Sequence, residues 1–315
     1  MCAGVDVRDV PDLDGALPAA LLCDGGPLRR LYDAAAARAC LANRTICLLG
    51  DSTMAETAHD LVLLLSGAGG NATAVREYLD AVTNAPNATT LYAGDVEISI
   101  GCGHGCEMAE HVHRVMRARI NAVNTRLLHR FTGHRNVETN FEGVTGLMHA
   151  FVDGWHRDWT HCDVVLLNSA VHDYAEFKKP GHMANRYVPL VRALAAVVNV
   201  MYADEPEGYP TAAHVATARK PRPKLLWRGN TFAAHHSEMW LSAEQQRQAE
   251  AAVRSAFAED SSLQFVDLSP ALTLLPPMRN NKDHHIGQAS FRNTAQHPML
   301  WSSVATQALL QAVCA

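Results

Sequence analysis

Short apolar runs alternate along this chain with longer segments whose apolar residues recur at helical spacing, and that rhythm predicts strands alternating with helices. Residues 28–42 carry a helical pattern that ends just before Thr45-Ile46-Cys47-Leu48-Leu49. That run is too short for a helix and is closed by Gly50, so it predicts a buried strand. Met54, Ala58, Leu61, Val62 and Leu65 then form one apolar stripe at the helical period. A Gly-, Ala-, Thr- and Pro-rich loop over 66–90 follows, and Asp95–Ile100 alternates like a strand. Residues 107–130, dense in Arg, His and Met, read as a polar-faced helix. Asp163–Leu167 is a second buried-strand candidate, and residues 183–201 supply a helix with Val188, Val191, Leu194, Ala195 and Val198 on one face. Lys224–Trp227 predicts a further strand, Ser242–Ala258 a helix and Gln264–Leu268 another strand. A last helix over about 299–313 turns Leu300, Val304, Ala308 and Val313 inward. The pattern predicts an α/β fold, a mostly parallel sheet with helices on both faces. Residues 1–30, rich in Asp, Gly and Pro, read as an irregular arm, and 31–315 as one domain without internal repeats.

Composition narrows the class. With 315 residues, 48% hydrophobic and 19% charged, the chain can bury a substantial core. No apolar run approaches the roughly 18–20 residues that span a bilayer. The net charge of −5 is spread along the chain, which argues against a nucleic-acid groove. Cys2, Cys23, Cys40, Cys47, Cys102, Cys106, Cys162 and Cys314 form no CxxC pair, and an even count reaching almost to both ends suits a disulfide-tied secretory protein. Their connectivity stays open, and eight buried thiols in a cytosolic enzyme is the alternative. Three glycosylation triplets begin at Asn43, Asn71 and Asn87, the last two in the 66–90 loop. The chain opens Met-Cys-Ala-Gly-Val-Asp, without the charged and apolar regions of a signal peptide. The expectation is a lumenal or extracellular domain whose targeting segment has been removed.

In open α/β sheets, ligands bind at the carboxyl ends of the strands, so the informative residues follow each predicted strand. After the first come Asp51, Ser52 and Thr53, opening a helix. A hydroxyl there meets helix amides that favour developing negative charge, as a nucleophile requires. Asp51 or Ser52 can equally serve as a simple N-cap. After the Val164–Leu167 run comes Asn168, able to aim an amide at an oxyanion, with His172 and Asp173 able to orient substrate or neighbouring loops. Turn chemistry explains the same residue types. Farther on, Asp283 and His285 offer a carboxylate–imidazole pair, and His297 precedes the final helix. A zinc site from His284, His285 and His297 competes, although adjacent histidines seldom share one metal.

Leu48-Leu-Gly-Asp-Ser-Thr53, Leu166-Leu-Asn-Ser-Ala-Val-His-Asp173 and the Asp/His block near the carboxyl end, in that order, resemble the SGNH/GDSL hydrolase superfamily. The likeness is strongest to its PC-esterase branch, which includes NXPE-like carboxy-terminal domains and the trichome-birefringence-like polysaccharide O-acetyltransferases. It covers roughly residues 35–315, and a Cys before the Gly-Asp-Ser strand and another at the chain end add to it. The resemblance implies a three-layer α/β/α sandwich. It implies Ser52 as nucleophile and as an oxyanion donor through its own amide, Asn168 as a second donor, and Asp283 with His285 completing a triad. Asp51, His172 and Asp173 would bind substrate, and Gly143 or Gly146 would supply the remaining oxyanion amide. Ala170 stands where the branch has Gly, and its D-x-x-H appears here one residue short, as Asp283-His284-His285. His297-Pro298 resembles the H-P of bacterial members and gives a reserve base. The implied reaction is acyl transfer on a glycan without metal or redox cofactor, giving an O-acetyl esterase. With a sugar acceptor and an acetyl donor, the same triad gives an O-acetyltransferase. Loss of the triad would leave a glycan- or protein-binding domain.

Overall fold

The computed structural model describes residues 30–50, 52–66, 91–93, 96–100, 126–131, 143–148, 162–169, 173, 180–202, 222–229, 243–258, 263–272 and 298–315. The strands are β1 (Thr45–Gly50), β2 (Leu91–Ala93), β3 (Val96–Ile100), β4 (Arg126–Phe131), β5 (Val164–Leu167), β6 (Lys224–Arg228) and β7 (Leu263–Val266). The helices are α1 (Ala34–Leu41), α2 (Ser52–Ser66), α3 (143–148), α4 (Val188–Tyr202), α5 (Ala243–Ala256), α6 (Ser269–Leu272) and α7 (Pro298–Cys314), with a π-helical turn, Met183–Tyr187, leading into α4. The seven strands form one sheet in the order β2-β3-β4-β1-β5-β6-β7, with β2 antiparallel to β3 and every other neighbouring pair parallel.

Strand alternation distributes the core. Cys47 and Leu49 of β1, Val165 and Leu167 of β5, and Leu225 and Trp227 of β6 share a buried cluster with Val144 and Leu147 of α3, Val191, Leu194 and Val198 of α4, and Val253 of α5. The intervening Ile46, Leu48, Val164, Leu166 and Leu226 are equally buried, and their period-2 position turns them to the opposite face. There α1, α2 and α7 pack on one another, with α2 against β1 and β4 and α7 against β6 and β7. Central strands buried on both faces read as the continuous apolar runs that the sequence shows. The predicted α2 stripe of Met54, Ala58, Leu61, Val62 and Leu65 is fully inside.

One element departs from expectation. The helix expected over 107–130 gives way at its carboxyl end to β4, which pairs in parallel with both β1 and β3. Hydrogen bonding to two neighbours overrides a local pattern that fits a helix, and Leu127 lands in the core.

Two disulfides tie the described residues, Cys40–Cys314 between α1 and the end of α7, and Cys47–Cys162 between β1 and the residues leading into β5. Asp163 joins three strand starts, accepting from the Thr45 amide at 2.6 Å while its backbone bonds to Thr45 and Lys224. The Gln307 side chain accepts from the Tyr32 amide at 2.6 Å and donates to the Tyr32 carbonyl at 2.8 Å, fastening the segment before α1 to α7. No described helix is long and apolar enough to cross a membrane.

Candidate functional site

The chain leaves β1 through α2 on one face of the sheet and leaves β5 towards β6 through α4 on the other, although β1 and β5 are neighbours. In open α/β sheets, ligands bind at the carboxyl ends of the strands that flank such a reversal. Gly50 ends β1 there and Ser52 opens α2. A Cβ placed on Gly50 would lie 2.7 Å from Met54 Cβ and 3.1 Å from the Asn168 carbonyl oxygen. Only glycine lets the strand turn into the helix this tightly.

Asn168 follows β5 and is fully buried. Its amide donates to the Leu49 carbonyl at 3.0 Å, extending the β1–β5 pairing by one residue. Its side chain is bonded at both ends. The Thr53 hydroxyl donates to Asn168 Oδ1 at 3.4 Å, and Asn168 Nδ2 donates to the Arg228 carbonyl at 3.0 Å. The Arg228 guanidinium in turn donates to Thr53 Oγ1. These bonds close a ring through β5, β6 and the first turn of α2, one residue beyond Ser52. Thr53 and Arg228 are each only 2% exposed, so the ring is buried at the carboxyl ends of these strands.

Asp173 lies at the start of α3. Its carboxylate accepts from the Val144 amide at 3.2 Å and from the Ser169 hydroxyl at 2.8 Å. Gly143 has φ +58°, and a Cβ there would fall 2.2–2.4 Å from the Asp173 carboxylate. The left-handed conformation and the close carboxylate both require glycine. Asp173 therefore works as an N-terminal cap that ties the residues after β5 to α3, a role that favours negative charge at a helix start. Gly146, the alternative donor, is a buried residue within α3.

Of the residues singled out from sequence, the structure brings together the Ser52 backbone, Asn168, Asp173 and Gly143 around the carboxyl ends of β1 and β5. Asp51, His172, Asp283, His285 and His297 lie outside the described residues, as does His284 of the competing zinc proposal. Among the described residues no group of His, Cys, Asp or Glu is placed to hold a metal ion. A groove of about 400 Å³ lies elsewhere, between β7 and α7 near Tyr32, and none of the sequence-predicted site residues lines it.

Sequence reading missed Thr53 and Arg228. The expected strand stopped at Trp227, whereas β6 runs to Arg228. No local signal marks Arg228, whose guanidinium reaches the first turn of α2 only because the fold lays β6 beside β5. In comparisons with protein-family models, curated proteins and solved structures, no match to this chain was found.

Proposed function

We propose that this protein performs serine-dependent acyl-ester chemistry on glycans, as an O-acetyl esterase with SGNH-like architecture. One juxtaposition supports the reading. Ser52 opens a helix directly behind the central strand, and Asn168 from the adjacent strand is hydrogen-bonded into that same helical turn. Nucleophile and oxyanion donor would thus meet at the carboxyl end of the sheet, where this architecture binds ligands.

In the proposed reaction Ser52 Oγ attacks the acyl carbon while His285 or His297 takes its proton, with Asp283 orienting the imidazole. The carbonyl electron pair moves onto oxygen, and the oxyanion is met by the Ser52 amide and Asn168, donors worth about 3–4 kcal/mol each in other enzymes. Collapse expels the sugar hydroxyl, which takes the proton back from the histidine. Water then attacks the acyl-serine by the same steps and releases acetate. The two disulfides favour an oxidising compartment, lumenal or extracellular, which suits a glycan substrate.

The test is p-nitrophenyl acetate turnover by the wild type, Ser52→Ala, His285→Ala and His297→Ala, with folding followed by circular dichroism. Ser52→Ala is expected to lose essentially all turnover with its spectrum unchanged, and one histidine variant should match it. Full turnover by Ser52→Ala, or by both histidine variants, refutes the assignment. An added oligosaccharide acceptor separates hydrolysis, which yields only acetate, from transfer, which yields acetylated sugar.

A further inference from the structure

We infer that Arg228 is the positioning residue of the oxyanion hole, acting through Thr53 and Asn168, an inference that rests on the acyl-serine reading above. Its guanidinium is buried against Thr53 in the first turn of α2, so it acts on the proposed donors rather than on substrate. It reaches both proposed donors indirectly. The guanidinium donates to Thr53 Oγ1, and the Thr53 hydroxyl in turn donates to Asn168 Oδ1 at 3.4 Å. The Arg228 carbonyl holds Asn168 Nδ2 from the other side, at 3.0 Å. The amide plane of Asn168 is therefore fixed at both ends, and the first turn of α2, which carries the Ser52 N–H, is pinned to the same residue.

Chemistry explains why an arginine stands here. Guanidinium stays protonated at any working pH, so Thr53 is always held as an acceptor and the ring keeps one direction. Burying such a charge is costly, and apolar residues of similar volume usually stabilise a fold as well or better. A charge placed directly under the site of oxyanion formation repays that cost in the transition state, through donors that need no reorganisation. Bonds arranged in a ring also polarise one another, which stiffens the donors further.

The experiment compares the wild type, Arg228→Met, Arg228→Lys, Thr53→Val and the Arg228→Met/Thr53→Val double variant. Each is assayed for p-nitrophenyl acetate kinetics and for the rate at which a fluorophosphonate probe labels Ser52, read by intact mass. Arg228→Met is expected to lower kcat and the labelling rate about 100-fold while KM stays within about twofold, because the donors it positions bind the oxyanion only in the transition state. Arg228→Lys should recover about a tenth of wild-type kcat, since an ammonium supplies charge without the planar fork. The double variant should be no slower than Arg228→Met alone, because Thr53 works within the same ring. Arg228→Met within about threefold of wild-type kcat, or losses that multiply in the double variant, overturns the inference. Should Arg228→Met fail to fold, the near-isosteric Thr53→Val decides: a loss of about tenfold in kcat supports the ring and unchanged kcat overturns it. A wild type that neither turns over ester nor labels at Ser52 sinks the acyl-serine reading and this inference with it. A reactive wild type with an unaffected Arg228→Met sinks the inference alone.

Discussion

Removing the Cys47–Cys162 bridge by the paired substitution Cys47→Ala and Cys162→Ala tests how the sheet is held. The bridge spans 115 residues and Cys40–Cys314 spans 274. Loop-closure entropy alone assigns about 4.8 kcal/mol to a bridge of the first span and about 5.6 kcal/mol to one of the second at 25 °C. The smaller loop lies inside the larger, so with the outer bridge intact the denatured chain is already a ring. Its two arms, of about 115 and 160 residues, then act as one loop of about 67, and the cost of losing the inner bridge falls to about 4.4 kcal/mol. Both sulfurs lie in the core, Cys47 fully buried and Cys162 1% exposed, and their loss adds about 1 kcal/mol of packing. Residual structure in the denatured chain takes part of this back, which leaves an expected loss of about 3–5 kcal/mol. In a chain of 315 residues, whose unfolding entropy is about 0.66 kcal/mol/K, that lowers Tm by about 5–8 °C. The assay is thermal and urea unfolding followed by circular dichroism under non-reducing conditions, with bridge formation checked by intact mass. Removing both bridges should cost about 0.5 kcal/mol more than the single losses added together, because each shortens the loop that the other closes. A paired Cys47/Cys162 variant melting within about 2 °C of the wild type would refute the reasoning.

Two further tests address the strand–helix turn and a surface charge. Gly50→Ala forces a Cβ against Met54 and the Asn168 carbonyl, and is expected to cost about 1–3 kcal/mol in urea unfolding, with a fall in ester turnover as α2 shifts; an unchanged midpoint with unchanged turnover rules out the close packing. Burial, and then the nearby Arg44, hold the Lys224 ammonium below its ordinary value of 10.5. The unfolded chain therefore binds more protons across the window between the two values, so this group's contribution to stability rises with pH there up to about 10.5. A carbon-detected NMR titration of labelled lysines should find the Lys224 midpoint below the ordinary value, and Arg44→Gln should raise it part of the way, since burial is the larger cause; a midpoint at or above the ordinary value contradicts the placement.

What the sequence revealed and concealed follows from the range of each interaction. β1 and α2 were legible because their signals are local: an apolar run closed by Gly50, then a stripe at 3.6-residue spacing. β4 was not, because Arg126–Phe131 continues the polar pattern before it and becomes a strand only by pairing with β1 and β3. Disulfide connectivity was equally hidden. Cys47 and Cys162 come together because β5 is laid beside β1, a choice made by topology. Asn168 could be nominated from its place after an apolar run. Arg228 could not, since a charged residue ending a strand reads as a solvated terminus until α2 is known to cover that face. The acid–base half of the site, Asp283 with His285 or His297, lies outside the described residues.

The two ends of the sheet are held by different means, and this bears on how the protein can lose function. At the amino ends of β1, β5 and β6, the ties are the Asp163 bonds to Thr45 and Lys224. The carboxyl end of α7 is clamped nearby by the Cys40 bridge, by Arg44 donating to the Val313 carbonyl at 3.3 Å, and by Lys224 donating to the Ala315 carbonyl at 3.4 Å. Cations there also complement the helix dipole. At the carboxyl ends of the same strands no covalent tie joins the described residues, and the closed polar ring of Arg228, Thr53 and Asn168 sets the geometry. A ring of directional bonds fixes angles well but adds modest net stability, about 1 kcal/mol for a neutral bond and about 1.5–3 kcal/mol for the one from the guanidinium. Breaking it should therefore impair chemistry before it unfolds the chain, whereas reducing the bridges should unfold the chain without first altering the chemistry of the molecules still folded. The order in which ester turnover and the unfolding midpoint fall across the Arg228 and Cys47/Cys162 variants distinguishes this arrangement from one in which stability and function share the same contacts.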